Sequence, residues 1–243
     1  MKEKTRRNIL QVIILLLALL YVGKFGKAAV LRTYIELGIG DCKKIPVFCI
    51  LPHEEIITPH IDKVYLAQLV PFEFTEEEPT IAIYLPKEFT VVRERINKVY
   101  YKKAQRRGPG SICYLLYEQP GFFTGLFPKM AKQGVENDYE FIRRTMYAAP
   151  KDIKNLTDTF FVIMKSIFTP NLGDEKNIQM VKFQIGDKKG FLTYNLTESE
   201  NYFDCNIFNK QGDLFKVYIK DRAVNLDLDK VLTIISTISK TGS

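Results

Sequence analysis

The sequence is short of the residues on which most enzyme chemistry and most disulfide scaffolds rest. Four cysteines in 243 residues are too sparse for a disulfide framework, and eleven prolines with fourteen glycines are too few for a low-complexity linker. His53 and His60 are the only imidazoles, so any histidine-dependent acid–base scheme must use one of them. The phosphate-loop pattern G-x-x-x-x-G-K-S/T is absent, as are G-x-G-x-x-G, G-x-S-x-G, H-E-x-x-H and C-x-x-C. Gly38-Ile-Gly40 lacks the third glycine and the phosphate-binding context. No catalytic residue and no cofactor is assigned on these grounds. Carboxylate-only chemistry stays open, because 26 acids beyond residue 37 offer too many pairs to choose among. There is no internal repeat.

What is present is the mixture of a folded globular protein: 46% hydrophobic, 26% charged and 12% aromatic residues. The net charge of +7 is concentrated at one end. Residues 1–37 hold seven of the 35 basic and two of the 28 acidic residues, a net of +5, which leaves 28 against 26 for the rest. A nearly balanced remainder has no domain-wide footprint for neutralising phosphates, so nucleic acid is disfavoured as a partner.

After Lys2, Lys4, Arg6 and Arg7, the stretch Asn8–Gly23 carries no charge and is almost entirely aliphatic. A bilayer core of about 30 Å needs about 20 helical residues. Snorkelling of Lys24 and Lys27, with Tyr21 at headgroup depth, extends the sixteen available. This reads as an uncleaved signal anchor. A cleaved secretory signal is the competing reading, with Gly23 and Ala28 as sites, though no A-x-A follows the apolar run. A buried soluble helix would show a polar face. Four basic residues precede the run and three follow it before residue 38, a bias of one that orients the N-terminus to the cytoplasm and the rest outside.

The expected organisation is 1–37 as basic start, anchor and stalk, 38–78 as a Cys/His/Pro-bearing lead-in with a helix over Ile57–Leu69, and 79–243 as an α+β globular domain. Strands are predicted at Thr80–Leu85, Phe89–Arg93 and Ser111–Glu118. Helices are predicted over Glu136–Ala148, capped by Asn137 or Asp138, and Asp152–Phe168, with Ile153, Leu156, Phe160, Ile163, Met164 and Ile167 on the inner face. Two hairpins follow, turning at 186–190 and at Asn209–Asp213, with Phe203, Cys205 and Ile207 alternating against Asp204 and Asn206. Asn225 or Asp227 caps a closing helix with Leu228, Val231, Leu232, Ile235 and Ile238 inside. The fold class is α+β, an antiparallel sheet with flanking helices.

In element order, the segment from about Asn177 to Ser239 resembles the tail of the PsbP-like α/β/α sandwich family: two antiparallel hairpins, a glycine after the first turn, an aromatic strand and a closing amphipathic helix. The likeness covers roughly a quarter of the chain and brings no functional residue with it. It implies a secreted or membrane-tethered accessory domain with a binding or assembly role.

Cys42, Cys49, His53 and His60 fall within nineteen residues and carry the donor atoms of a tetrahedral zinc site. The spacing C-x6-C-x3-H-x6-H is no usual finger spacing, and a Cys42–Cys49 disulfide or free thiols are the other readings. Cys113 and Cys205 sit in strand patterns as small buried hydrophobes. Arg93, Arg95, Lys98, Lys102, Lys103, Arg106 and Arg107 form a basic stretch around Tyr100 and Tyr101. It reads as a solvated hairpin edge, or as a contact for anionic lipid headgroups, with nucleic acid a third reading. Gly121–Pro128 places four large apolar residues in a glycine-flanked loop, for the core or for a protein or membrane partner. Asn155 and Asn195 stand in N-x-T contexts that chance explains.

The sequence therefore predicts a single-pass membrane-anchored protein whose extracytoplasmic domain is a binding or assembly module. The rival is a membrane-tethered hydrolase or metal-dependent enzyme built on Cys42–His60.

Overall fold

The computed structural model describes Gly26, Ala29, Val30, Arg32, Thr33, Ile35 and Cys42, and residues 46–75, 79–95, 98–103, 110–169, 177–223 and 225–241. The apolar run 8–23 lies outside them, and among the described residues no helix is long and apolar enough to cross a membrane. The chain divides into two compact units, one of residues 1–49 and 148–168, the other of 50–147 and 169–243.

The larger unit is α+β. Its eleven described strands are β1 Ile56–Ile57, β2 Leu69–Thr75, β3 Thr80–Pro86, β4 Phe89–Arg95, β5 Lys98–Lys103, β6 Ser111–Glu118, β7 Gln179–Ile185, β8 Lys188–Leu196, β9 Asn201–Phe208, β10 Leu214–Asp221 and β11 Ser239–Thr241. They form an eight-stranded sheet in the order β1-β7-β8-β9-β10-β6-β5-β4 and a three-stranded sheet β11-β3-β2. All pairings are antiparallel except the short parallel contact of β1 with β7, which departs from the purely antiparallel expectation. The helix predicted over Ile57–Leu69 shrinks to α1, Lys63–Leu66. Its start is fixed by Asp62, whose Oδ1 accepts from the Val64 and Tyr65 amides at 3.0 and 2.9 Å.

The expected boundary between residues 78 and 79 runs through a hairpin, because β2 pairs with β3 along its whole length. β3 and β4, adjacent in sequence, belong to different sheets, so the chain changes layer at Lys87–Glu88.

One core dominates this unit. The alternating residues Cys113 and Leu115, Phe203, Cys205 and Ile207, and Phe215, Val217 and Ile219 point to the same face of the large sheet. They meet Ile81 and Ile83 of the small sheet and the stripe Val231, Leu232, Ile234, Ile235 and Ile238 contributed by α5, Leu228–Ser236, and the residues after it. Asp227 caps α5, accepting from the Lys230 amide at 2.9 Å.

The first hairpin turns on Gly186, at φ 58°, and Asp187, a tighter turn than the five residues predicted. Gly190 is instead a strand residue of β8, facing Phe183 on β7 and Ile207 on β9. A Cβ there would overlap the Asn206 backbone carbonyl, so close approach of β8 and β9 requires glycine. The second hairpin turns as expected, with Gly212 at φ 87° in the loop Asn209–Asp213.

The loop predicted at Gly121–Pro128 contains a short helix, α2, Phe122–Leu126. Its second and third amides, Phe123 and Thr124, donate to Asp138 Oδ1 at 3.0 Å each. Asp138 begins α3, Asp138–Tyr147, itself capped by Asn137, which accepts from the Glu140 amide at 2.9 Å. Phe123 and Phe127 stack on Phe141, with centroids 4.9 and 5.6 Å away, so these aromatics pack inward, whereas Phe122 and Leu126 are exposed.

In the smaller unit, α4, Leu156–Phe168, packs on the turn Pro46–Phe48 through Ile35, Phe48, Ile153 and Val162. Lys165 is buried there and its ammonium donates to the Ala148 carbonyl at 3.0 Å; burial draws its pKa down to about 7. The face expected to be inner is largely outer: Ile153 and Met164 are buried, but Leu156, Ile163 and Ile167 are exposed. The helix is apolar on two sides, and Phe161 and Val162 took the buried one.

Candidate functional site

The four donors of the candidate metal cluster do not act as one set. Cys42 and Cys49, in the smaller unit, are joined as a disulfide with Cα atoms 5.8 Å apart, so their sulfurs are committed to each other. His53 and His60 belong to the larger unit and are exposed. The His53 amide donates to Met180 O at 2.9 Å, which holds the chain beside β7 and leaves the imidazole outside. His60 borders a shallow hollow with Asp62, Asp227 and Asp229. Among the described residues no group of three His, Cys, Asp or Glu side chains has the arrangement of a metal site.

Of the basic stretch, Arg93 and Arg95 lie on β4 and Lys98, Lys102 and Lys103 on β5, with Arg95 opposite Lys98 and Thr90 opposite Lys102. β4 closes one edge of the large sheet, and its register slips at Val91/Arg93, a bulge of the kind that blunts an edge. Arg106 and Arg107 lie outside the described residues. Cys113 and Cys205 are free and buried, and burial pushes both thiols up, as expected of packing residues. Asn195 is fully buried, which leaves no room for a glycan, whereas Asn155 uses its side chain to cap α4, accepting from the Thr157 and Asp158 amides at 2.8 and 3.0 Å.

A cleft of about 550 Å³ lies in the larger unit where α1, the β3–β4 corner and the loop after β10 meet. Leu69, Phe89 and Leu226 are its buried apolar lining, with Tyr65 and Gln68 from α1 and the segment after it. Asp221 builds one wall. Its Oδ1 accepts from Ser111 Oγ at 2.9 Å and the Ala223 amide at 3.0 Å; its Oδ2 accepts from the Asn225 and Leu226 amides, each at 2.8 Å. Those four bonds occupy the carboxylate and pin the loop, so Asp221 is architecture. The Asp62 amide donates to Thr233 Oγ1 at 3.2 Å, which ties the start of α1 to α5.

Tyr65 is the unsatisfied group of this cleft. Its hydroxyl is buried and meets no hydrogen-bond partner among the described residues. Burial first, then the nearby Asp221, Asp227, Glu88 and Asp62, hold its pKa far above the ordinary phenol value. It is therefore a neutral donor with no acceptor among the described residues, in a cleft that joins buried Leu69, Phe89 and Leu226 to the charged Lys87, Glu88 and Lys230. That arrangement suits a ligand or peptide segment that offers an acceptor to the phenol and apolar surface to Phe89 and Leu226. Tyr65 belongs to no spacing pattern in the sequence and converges with Asp221 only in the fold.

A second polar group lies in β9, where Asp204 and Asn206 alternate with the core residues, yet all eight residues of the strand are buried. Asp204 stands opposite Thr193 on β8 and Tyr218 on β10. Lys216 Nζ lies 3.5 Å from Asp204 Oδ1, and neither carboxylate oxygen receives a hydrogen bond among the described residues. Burial lifts the Asp204 pKa to about 6 against the opposing pull of Lys216. Part of this face is covered by α3, where Tyr139 stacks on Phe191 at 5.8 Å and meets Phe208 edge-on at 5.4 Å. The available signal was the aromatic pair bounding the polar row, Tyr202 and Phe208.

No protein-family profile and no curated protein sequence matches the chain.

Proposed function

We propose that the protein is a membrane-anchored extracytoplasmic binding module, held in the bilayer by residues 8–23 and recognising its ligand or protein partner at the Tyr65 cleft. The observation that carries this reading is the Cys42–Cys49 disulfide, because such bridges persist in oxidising compartments outside the cytoplasm. It agrees with the basic start, the uncharged aliphatic run and the PsbP-like element order of residues 177–239, which together describe a tethered accessory domain. The cleft supports binding over catalysis. It joins buried Leu69, Phe89 and Leu226, beside Lys87, Glu88 and Lys230, to a phenol that meets no partner among the described residues, and its buried Asp221 is already saturated by four hydrogen bonds. The tethered-hydrolase alternative has less behind it, since its two thiols are bonded to each other and its two imidazoles belong to the other unit.

The test labels intact cells with a membrane-impermeant maleimide before and after reduction. Cys113 and Cys205 are buried, so the signal reports Cys42 and Cys49. Labelling that appears only after reduction is the expected result. Labelling that requires permeabilised membranes would overturn the extracytoplasmic reading.

A further inference from the structure

Charge around the Tyr65 cleft is uneven. Lys87, Glu88, Asp221 and Lys230 line it, and Asp62 and Asp227, the caps of α1 and α5, stand close enough to act on the phenol. Four carboxylates thus face two ammonium groups. Lys230 is already matched, since its Nζ donates to Asn225 O at 2.8 Å and lies 3.4 Å from Asp227 Oδ2. Asp221 accepts from a serine hydroxyl and three backbone amides, all neutral, so its lone pairs are satisfied and its charge stays in place. Burial is the largest cause of the raised Tyr65 pKa, and Asp221, Asp227, Glu88 and Asp62 each add to it. The charges around the phenol therefore oppose a further anion there.

The rest of the lining is aromatic and aliphatic: Tyr65 and Phe89, with Leu69 and Leu226. Aromatic faces set among excess carboxylates favour an organic cation twice over, through the ring quadrupole and through the summed field of the acids. The fold itself places one there, because Lys230 Nζ stands 5.9 Å from the centroid of the Tyr65 ring. A carboxylate or phosphate would enter against four acids. The acceptor best suited to the phenol is therefore uncharged, as a peptide carbonyl is. A cleft of about 550 Å³ falls within the usual range of compact ligand sites, about 300–1,000 Å³, and so takes a short segment of a partner.

We propose that the Tyr65 cleft recognises a basic segment of a protein partner, a lysine or arginine side chain drawn in by Glu88 and Asp221 with an adjacent apolar side chain on Phe89 and Leu226. This rests on the reading of the cleft as the recognition site. It makes the cleft selective by charge, accepting cationic segments and rejecting acidic ones of the same shape.

The test titrates the isotope-labelled full chain, in phosphocholine micelles, with three dipeptides of one shape: the N-acetyl amides of phenylalanyl-lysine, phenylalanyl-glutamine and phenylalanyl-glutamate. Backbone amide shifts at Leu69, Phe89 and Leu226 report the cleft. The expected order of affinity is lysine, then glutamine, then glutamate, with about tenfold between the two ends at low salt and the gap closing as salt rises. Glu88→Gln combined with Asp227→Asn removes two of the four acids, and asparagine caps α5 as aspartate does. In that variant the lysine and glutamate peptides should bind within about twofold of each other, because the charges then balance. Glutamate or glutamine binding at the same amides as tightly as lysine would overturn this inference and leave the cleft standing as a site. A lysine preference that the double variant keeps, or that shifts only amides away from the cleft, would also overturn it, placing the basic group elsewhere. No shift at the three cleft amides with any of the peptides would remove the cleft reading itself.

Discussion

Asp204 on β9 and Lys216 on β10, diagonal across the pairing because Asp204 faces Tyr218 and Lys216 faces Asn206, form an ion pair whose acid is fully buried and whose base is 16% exposed, with 3.5 Å between Oδ1 and Nζ. At that separation and with no hydrogen bond to the carboxylate among the described residues, attraction recovers only part of the desolvation cost. The charged acid is a source of instability in the middle of the sheet.

Stability should fall with pH because of it. The folded-state pKa, about 6, lies above the ordinary 3.8. Between these values the native state binds more protons than the unfolded one, so its advantage is complete below about pH 4 and is lost as pH rises through 6. A displacement of that size corresponds to about 3 kcal/mol. Urea unfolding of the wild type and Asp204→Asn should show the variant gaining about that much relative to wild type from pH 4 to pH 7. A constant difference across that range would disprove the assignment.

Asp213 should behave oppositely. Burial raises its pKa, but hydrogen bonds from Asn209 Nδ2 at 2.8 Å, Lys240 Nζ at 3.0 Å and Tyr117 OH at 2.9 Å outweigh this and hold the carboxyl below its ordinary range. Its contribution is present above the unfolded pKa and lost as pH falls through the folded one. Asp213→Ala strands three donors around the β9–β10 turn and should destabilise by about 3 kcal/mol at neutral pH, measured by denaturant midpoint.

Two glycines should respond with opposite signs. Gly190→Ala drives a methyl into the Asn206 carbonyl and should weaken the β8–β9 pairing by about 3 kcal/mol, with loss of amide protection in both strands. Gly125→Ala, inside α2 with open space around it, should raise stability by about 0.5–1 kcal/mol. A neutral Gly190→Ala in thermal unfolding would mean that the strands are not this close.

Tyr65→Phe removes a buried hydroxyl that lacks a partner and should stabilise the free protein by about 1 kcal/mol. The same substitution should weaken whatever binds the cleft through that donor. Destabilisation of the free protein would show that the hydroxyl is already satisfied and would count against the cleft as a recognition site.

Much of the larger unit could be read from local pattern. Both closing hairpins, the Asn209–Asp213 turn and the Asp227 cap of α5 follow from alternation and capping chemistry over a few residues. Direction was harder. Leu156, Ile163 and Ile167 share helical spacing, but so do Phe161 and Val162, and period alone does not say which stripe faces the core. Asp204 and Asn206 alternate like an outward row, yet β9 is an interior strand of the eight-stranded sheet. The Tyr65 cleft gathers Tyr65, Phe89 and Asp221 from three distant stretches, and no spacing rule connects them.

The sequence by itself determined the uncharged aliphatic run, the α+β content, the closing hairpins and the closeness along the chain of Cys42 and Cys49, because each depends on neighbours or on short periodicities. Tertiary structure alone decided that Asp204 is buried, that β3 and β4 part into different sheets, that Gly190 admits no side chain, and that the Tyr65 hydroxyl is buried with no partner among the described residues. Those are properties of faces and strand order, set by long-range burial of apolar surface, and a chain of local preferences does not contain them.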